Sequence, residues 1–287
     1  MINLGLIGYP LSHSLSGVIH RAAFKSLSID GKYDILETPP DSLVEKIKFL
    51  KTNNYLGFNV TIPLKVPITM FLEKVDSAAN LAGAVNTVKI MPDKVLHGFN
   101  TDIFGFVSAV PIDFRNTLIN KKAAILGTGG ASRACAIGLI EMGVSAIDFY
   151  SRNIINSADT IKFLREQFPN VSINLKQYQS LNCLEDLAIL VNTTPVGMIN
   201  LAMNESLLSE KLLSTMPKES IVYDIVYNPI QTLLLKTAKK CGLKTINGLD
   251  MLVYQAQKAF HIWTGELPSF EIMKIAALEE LLINVNK

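Results

Sequence analysis

Between residues 122 and 142 the chain passes from an apolar strand, Lys122–Leu126, through Gly127-Thr-Gly-Gly-Ala131 into a helical stretch that ends before Gly143. A glycine-rich turn set between a strand and a helix demands a strand–helix–strand unit, and the next strand follows at 146–150. Gly143 suits the end of the intervening helix, where left-handed backbone is common. Further strands are predicted at 190–192, 221–226 and 243–246. Right-handed crossovers between such units give a doubly wound, Rossmann-type parallel sheet, here over residues 102–246. In that setting Gly127, Thr128, Gly129, Gly130 and Ala131 form a candidate pyrophosphate cradle. The glycines admit a close backbone approach, and the helix dipole favours negative charge. Ser132 stands where a third glycine is usual and is small enough for close helix–sheet packing.

The end of the second strand selects the cofactor. An acid there pairs with a ribose diol, and a base suits a 2′-phosphate. Asp148 lies inside the strand, whereas Ser151, Arg152 and Asn153 follow it. Arg152 at that place predicts NADP rather than NAD; the plain alternative is a solvated loop arginine.

The first hundred residues alternate strand and helix patterns. Strands are predicted at Ile2–Gly8, 33–37 and 56–62, with a helix starting near Ser16 as N-cap and another over 42–51 capped by Asp41. A hairpin over 84–90 and 94–99 makes the sheet mixed. The third strand ends in Gly57-Phe-Asn-Val-Thr-Ile-Pro-Leu-Lys65, with a short helix expected over 64–71. A lysine just past a buried strand, beside Asn59 and Thr61, is either solvated or part of a site at the carboxyl end of the sheet. The downstream cluster Gly98-Phe-Asn-Thr-Asp102 favours the second reading, because it puts a carboxylate at another strand-to-helix junction. Lys65 and Asp102 make a plausible proton-transfer pair. Ser14 and Ser16, two residues apart before a helix, either bind a carboxylate or serve as ordinary turn and cap residues. Gln255, beside Met251 and Leu252 on an apolar helix face, is a satisfied core amide or a ligand contact.

Composition narrows the partners. With 287 residues, two domains are expected, and 49% hydrophobic against 18% charged residues describes a well-packed globular protein. A net charge of +2 without basic runs points away from nucleic acid and toward small molecules. Three unpaired cysteines suit a reducing cytoplasm, and His13, His20, His97 and His261 lack metal-ligand spacing, so no metal is expected. The uncharged stretches 1–20 and 187–203 carry too many polar residues and turn formers for a signal core or a membrane span. A soluble, cytoplasmic protein is expected.

Taken in order, His13-Ser-Leu-Ser16, Gly57 to Lys65, Gly83-Ala-Val-Asn-Thr87, Gly98 to Gly105, Gly127 to Ala131, Asn192-Thr-Thr-Pro-Val-Gly-Met198, Tyr223-Asp-Ile-Val-Tyr-Asn-Pro229 and Gly248 to Gln255 resemble the shikimate dehydrogenase family across nearly the whole chain. The resemblance implies a substrate domain from residues 1–101 plus 247–287, with the C-terminal helices packed back onto it, and a dinucleotide domain from 102–246. It implies an NADP-dependent oxidoreductase, monomeric or homodimeric, that reversibly reduces 3-dehydroshikimate to shikimate in aromatic amino-acid (chorismate) biosynthesis. Ser14 and Ser16 would hold the substrate carboxylate; Thr61, Asn86, Asp102, Tyr227 and Gln255 would contact ring hydroxyls; and Lys65 would transfer the proton. Ile225 and Gly248 would lie near the nicotinamide, with 127–131 and 151–153 on the rest of the cofactor. The chain departs from the family pattern at Gly17 and Arg21, beside the serines, and at Ser151 and Asn153 in the cofactor loop. Asn156 also replaces a second basic residue there, so a modest NADP preference is expected. Two alternatives are a quinate/shikimate dehydrogenase using NAD, and a non-catalytic ligand-sensing module of the same fold. Ser16 and Arg152 speak against the first, and the presence of Lys65 and Asp102 against the second.

Overall fold

Strands β1 (Ile2–Gly8), β2 (Gly31–Glu37), β3 (Tyr55–Val60), β4 (Lys74–Val75), β5 (Thr87–Ile90) and β6 (Leu96–Phe99) build the first sheet of the protein. The structure is a computed structural model that describes residues 1–11, 14–199 and 201–285. The strand order is β2-β1-β3-β5-β6-β4. β1 runs parallel to β2 and β3, and β5 runs antiparallel to β3 and β6, so the sheet is mixed, as the sequence predicts.

The alternation along β3 sends Phe58 and Val60 into a core with Ile47, Leu50, Val88 and Ile90. Gly57 and Asn59 take the opposite face. There the helix Leu249–Thr264 lays Trp263 across the sheet, its indole Nε1 donating to the Val88 carbonyl at 2.8 Å. A Cβ on Gly57 would stand 2.2 Å from that Nε1 and 2.5 Å from the same carbonyl, so only glycine fits beneath the ring. Phe260 of this helix meets Phe24 of the helix Ser16–Ser26 edge-on, with ring centroids 5.0 Å apart.

Local chemistry explains where the sequence-based expectations fail. β3 stops at Val60 rather than at 62, and residues 64–71 give a 3-10 turn, Pro67–Phe71, instead of an α-helix. Pro63 and Pro67 each lack an N–H donor, which breaks both strand and helix ladders. The segment is pinned instead by the buried side chains of Leu64 and Ile68. Asp41 does not cap: Pro40 starts a 3-10 turn, Pro40–Ser42, ahead of the helix Leu43–Thr52. Ser16 is the first helical residue rather than the N-cap, which is Leu15.

The second sheet comprises β7 (Lys122–Leu126), β8 (Ala146–Ser151), β9 (Ser172–Gln177), β10 (Leu187–Asn192), β11 (Ile221–Asp224) and β12 (Lys244–Ile246). All neighbours are parallel in the order β12-β11-β10-β7-β8-β9, the doubly wound arrangement. The order reverses between β7 and β10, where open sheets of this kind bind ligands beyond the carboxyl ends of the strands. β9 was not foreseen. It is an edge strand whose Ile173 alone is fully buried, so it lacks the apolar run that marks the inner strands. The chain divides into two compact units, Met1–Gly105 with Val253–Lys287, and Phe106–Leu252. No helix among the described residues is long and apolar enough to cross a membrane.

Gly57→Ala should therefore be costly out of proportion to one methyl group. A destabilisation of at least about 2 kcal/mol is expected from overpacking against Trp263 and β5, read from the midpoint of urea unfolding. A change under about 0.5 kcal/mol would show that the Trp263 ring has room to move.

Candidate functional site

Lys65 and Asp102 are brought together from segments 37 residues apart. Lys65 follows β3, and its carbonyl accepts the Val85 N–H at 2.9 Å. Asp102 opens the helix Asp102–Ala109, three residues beyond the end of β6, where the Asn100 side chain accepts its N–H at 3.0 Å. The Lys65 ammonium Nζ meets Asp102 Oδ2 at 2.5 Å, with 18% of one side chain and 11% of the other still accessible. The pair is thus largely dry yet still reachable.

Asn86 fixes the other carboxylate oxygen. Its amide donates one hydrogen to Asp102 Oδ1 at 2.8 Å and the other to Thr101 Oγ1 at 2.9 Å, and its Oδ1 accepts the Thr101 N–H at 2.8 Å. Behind it, Asn59 donates to the Asn86 carbonyl and to Thr87 Oγ1, and accepts the Tyr33 hydroxyl at 2.6 Å. Gln255, partly exposed, puts its Oε1 3.4 Å from Thr101 Oγ1, at the border of the same cluster. Thr61 is also partly exposed, in the turn between β3 and Lys65. The sequence places Asn59 beside Lys65 but gives no sign of the parts played by Tyr33 and Thr101. Asn59 lies inside the Gly57–Lys65 motif, but nothing in the apolar pattern of β2 marks Tyr33.

Ser14 and Ser16 are partly exposed at the start of the helix Ser16–Ser26, whose first turn holds no acidic residue. Ser14 Oγ accepts the Ser16 N–H at 3.3 Å, so Ser14, not Ser16, does the capping work. His13 lies outside the described residues. His20, one turn into the helix, is fully buried and stacks on Tyr33 at 4.3 Å; neither ring nitrogen makes a hydrogen bond of ordinary geometry, although the Asn59 side chain lies near enough to work weakly against the effect of burial. Among the described residues no group of three His, Cys, Asp or Glu side chains could hold a metal ion.

The glycine turn has the shape of a cradle. Gly127 takes φ +96° and its N–H donates to the Tyr150 carbonyl, while an added Cβ on Gly129 or Gly130 would meet only open space. Gly130 begins the helix Gly130–Glu141, whose first N–H groups, like those of any helix, have no acceptor within it. Ser132 is buried, and its Oγ donates back to the Gly129 carbonyl at 2.7 Å. Ser157 Oγ lies 2.7 Å from Thr128 Oγ1, from Ser151 Oγ and from the Asn153 carbonyl, which ties the turn to the loop after β8. In that loop Arg152 is exposed and makes no hydrogen bond or ion pair among the described residues. Asp148 is spent elsewhere: it is buried, with Lys176 at 2.7 Å, Lys122 at 3.0 Å and the Asn174 amide at 3.0 Å. Burial works to raise its carboxyl, but the two lysines outweigh that and hold it below the ordinary range. The donor set of this turn and loop fits a dinucleotide with a 2′-phosphate. Elsewhere in the same unit, Gly248 crosses the Ile225 backbone so tightly that a Cβ would fall 1.9 Å from its carbonyl oxygen. Tyr227 is partly exposed two residues beyond Ile225, and burial pushes its phenol above the ordinary value.

His20 gives a pH signature. Burial in an aromatic nest lowers its imidazole to about 3, so it stays neutral in the folded chain and gains a proton only on unfolding at mildly acid pH. A depressed histidine means that stability rises with pH between about 3 and 6.5 and is fully present above that, by at most about 1.4 kcal/mol per pH unit. Between pH 7 and pH 5 the parent protein should lose about 2 kcal/mol more than His20→Phe does, measured by urea unfolding. Equal losses would mean that the imidazole is solvated or partnered.

Comparison with known proteins adds an independent line. Residues 6–88 match the family model described as shikimate dehydrogenase substrate binding domain, and residues 248–278 match the shikimate 5′-dehydrogenase C-terminal domain. A shikimate dehydrogenase (NADP(+)) of Caldanaerobacter subterraneus is 38% identical over 91% of this chain and 91% of its own. A crystal structure of a shikimate dehydrogenase in complex with NADP+ superimposes with a TM-score of 0.88 at 35% identity, covering 98% of this chain and 96% of that one. The enzyme from Thermus thermophilus in complex with NADP(H) and shikimate gives 0.82 at 34% identity, covering 97% and 99%.

Proposed function

This chain belongs to the shikimate dehydrogenase family, and we propose that it interconverts 3-dehydroshikimate and shikimate with NADP, using Lys65 and Asp102 as one proton-transfer unit. The observation that carries this reading is the 2.5 Å contact between the Lys65 ammonium and Asp102, whose second oxygen is held by Asn86. Reduction of a ring ketone forms a C–H bond at the carbonyl carbon and leaves an electron pair on oxygen, which needs a proton. When bound, the nicotinamide supplies or takes up the hydride. Lys65 stabilises the developing alkoxide with its positive charge and donates the proton from Nζ, then recovers one from solvent through its accessible edge. Asp102 holds that ammonium in place and accepts a hydrogen bond from the substrate hydroxyl. In the oxidative direction the same proton returns to Lys65.

Substrate recognition falls to further residues. Ser14, Ser16 and the first N–H groups of the helix Ser16–Ser26 suit a carboxylate, and Thr61, Asn86, Tyr227 and Gln255 suit ring hydroxyls. The turn 127–131 takes the pyrophosphate, with Ser151 and Asn153 shaping the adjoining loop and Ile225 and Gly248 beside the nicotinamide. Arg152 reads the 2′-phosphate, and because Asp148 is committed to two lysines, β8 offers no acid to an NAD ribose. Both points favour NADP over the NAD-linked quinate alternative.

A steady-state assay of shikimate and quinate, each with NADP+ and NAD+, tests the reading; highest turnover with shikimate and NADP+ is expected, and preference for quinate with NAD+ would reject it. In the same assay Arg152→Ala should weaken NADP+ by about 1.5–3 kcal/mol, the scale of a charge-assisted hydrogen bond, and leave NAD+ nearly unchanged. Equal weakening of both cofactors would make Arg152 a support of the loop.

A further inference from the structure

Tyr33 is a fully formed aromatic side chain, 4% exposed, whose hydroxyl points along the sheet toward the site. It donates to Asn59 Oδ1 at 2.6 Å, and the Ser16 hydroxyl adjoins the same phenol oxygen. Asn59 spends both amide hydrogens on the next layer, at 3.1 Å to the Asn86 carbonyl and 3.0 Å to Thr87 Oγ1. Thr87 Oγ1 lies 3.1 Å from Asn86 Oδ1, and the Asn86 amide ends on Asp102. A line of buried hydrogen bonds therefore runs from Tyr33 to the proton-transfer pair, with Ser16 of the serine turn beside its outer end. Its ring is packed in an aromatic group: His20 stacks on it at 4.3 Å and 11° between planes, and Phe260 and Trp263 lie against His20 at 6.2 and 5.5 Å.

We propose that Tyr33 is a positioning residue of the reaction, holding the Asn59 amide, and through it Asn86 and Asp102, in the one orientation that presents Lys65 to the substrate oxygen. His20 serves as the stacking wall for the Tyr33 ring; it makes no hydrogen bond of ordinary geometry, and its imidazole lies near the Asn59 side chain. Without the hydroxyl, Asn59 Oδ1 is left buried without its donor, and an amide in that state turns or admits water. The error passes to Asn86, whose two amide hydrogens are shared between Thr101 and Asp102. Small misplacements of a proton-transfer group lower the chemical step far more than they lower binding.

The inference rests on the shikimate dehydrogenase reading, and one experiment separates the two. Tyr33→Phe keeps the ring and the stack and removes only the hydroxyl; it is compared with the parent enzyme by the pH profile of kcat with shikimate and NADP+. The expected result is a fall in kcat of about 10-fold, a displaced acidic limb of the profile, and a KM for NADP+ within about twofold of the parent, in a protein whose melting cooperativity is retained. In an Asn59→Ser background the added Tyr33→Phe change should cost little more, because the link is already cut. An unaltered kcat and pH profile in Tyr33→Phe would overturn the proposal, as would a full additional loss in the Asn59→Ser background. Should Tyr33→Phe fail to fold, Asn59→Ser alone, which removes the acceptor of the Tyr33 hydroxyl together with the donors to Asn86 and Thr87, is judged by the same pH profile, and an unaltered profile there overturns the proposal. A parent enzyme inactive on shikimate would overturn the functional reading and this inference with it.

Discussion

Everything in the first unit is arranged around one buried carboxylate. Asp102 is 8% exposed, and a charge so placed is tolerated only when each oxygen has a partner. Lys65 serves one oxygen and Asn86 the other. Asn86 must then be fixed in turn, which draws in Thr101, Thr87 and Asn59, and these sit on β3, β5 and the segment after β6. The mixed sheet is the device that brings these residues to one edge. β5 pairs with β3 on one side and β6 on the other, with Thr87 opposite both Asn59 and Phe99.

The second unit solves a different electrostatic problem. Its buried carboxylates are neutralised or hydrogen-bonded within the unit. Asp148, in the middle of β8, is neutralised by Lys122 and Lys176. Asp224 at the end of β11 is fully buried and accepts from Asn192, Thr232 and the Val226 N–H. Burial nonetheless raises its carboxyl to about 6, so its charge is only partly stabilised. Arg152 is left exposed and without an internal acid to compete for it.

How much of this was legible in the chain depended on whether a residue's role was local. The glycine turn, Lys65 and Asp102 could be read because each follows a strand with a strong apolar pattern, and the doubly wound sheet followed from the succession of such strands. β4 and β9 were invisible because a two-residue strand and a mostly polar edge strand carry no periodic signal. The extent of β3 was misjudged because Ile62 looks like a strand residue, yet it lies exposed after the ladder has ended. Tyr33 and His20 were unreadable for a deeper reason. Their contacts reach Asn59, Phe260 and Trp263, and no local rule links residues that far apart. Asp148 was legible only in part: its position in the strand was plain, but its pairing with Lys176 depends on β9.

The central claim is that Lys65 and Asp102 act as one unit, and a double-mutant cycle on kcat/KM for shikimate, at saturating NADP+, tests it most directly. Lys65→Met and Asp102→Asn should each lower kcat/KM by about 100-fold or more, the scale of a lost proton-transfer group. The double variant should be little worse than the poorer single variant, because groups that work as a unit are strongly non-additive. A double variant whose loss equals the product of the two single losses would show that the lysine and the carboxylate act independently, and would contradict the account.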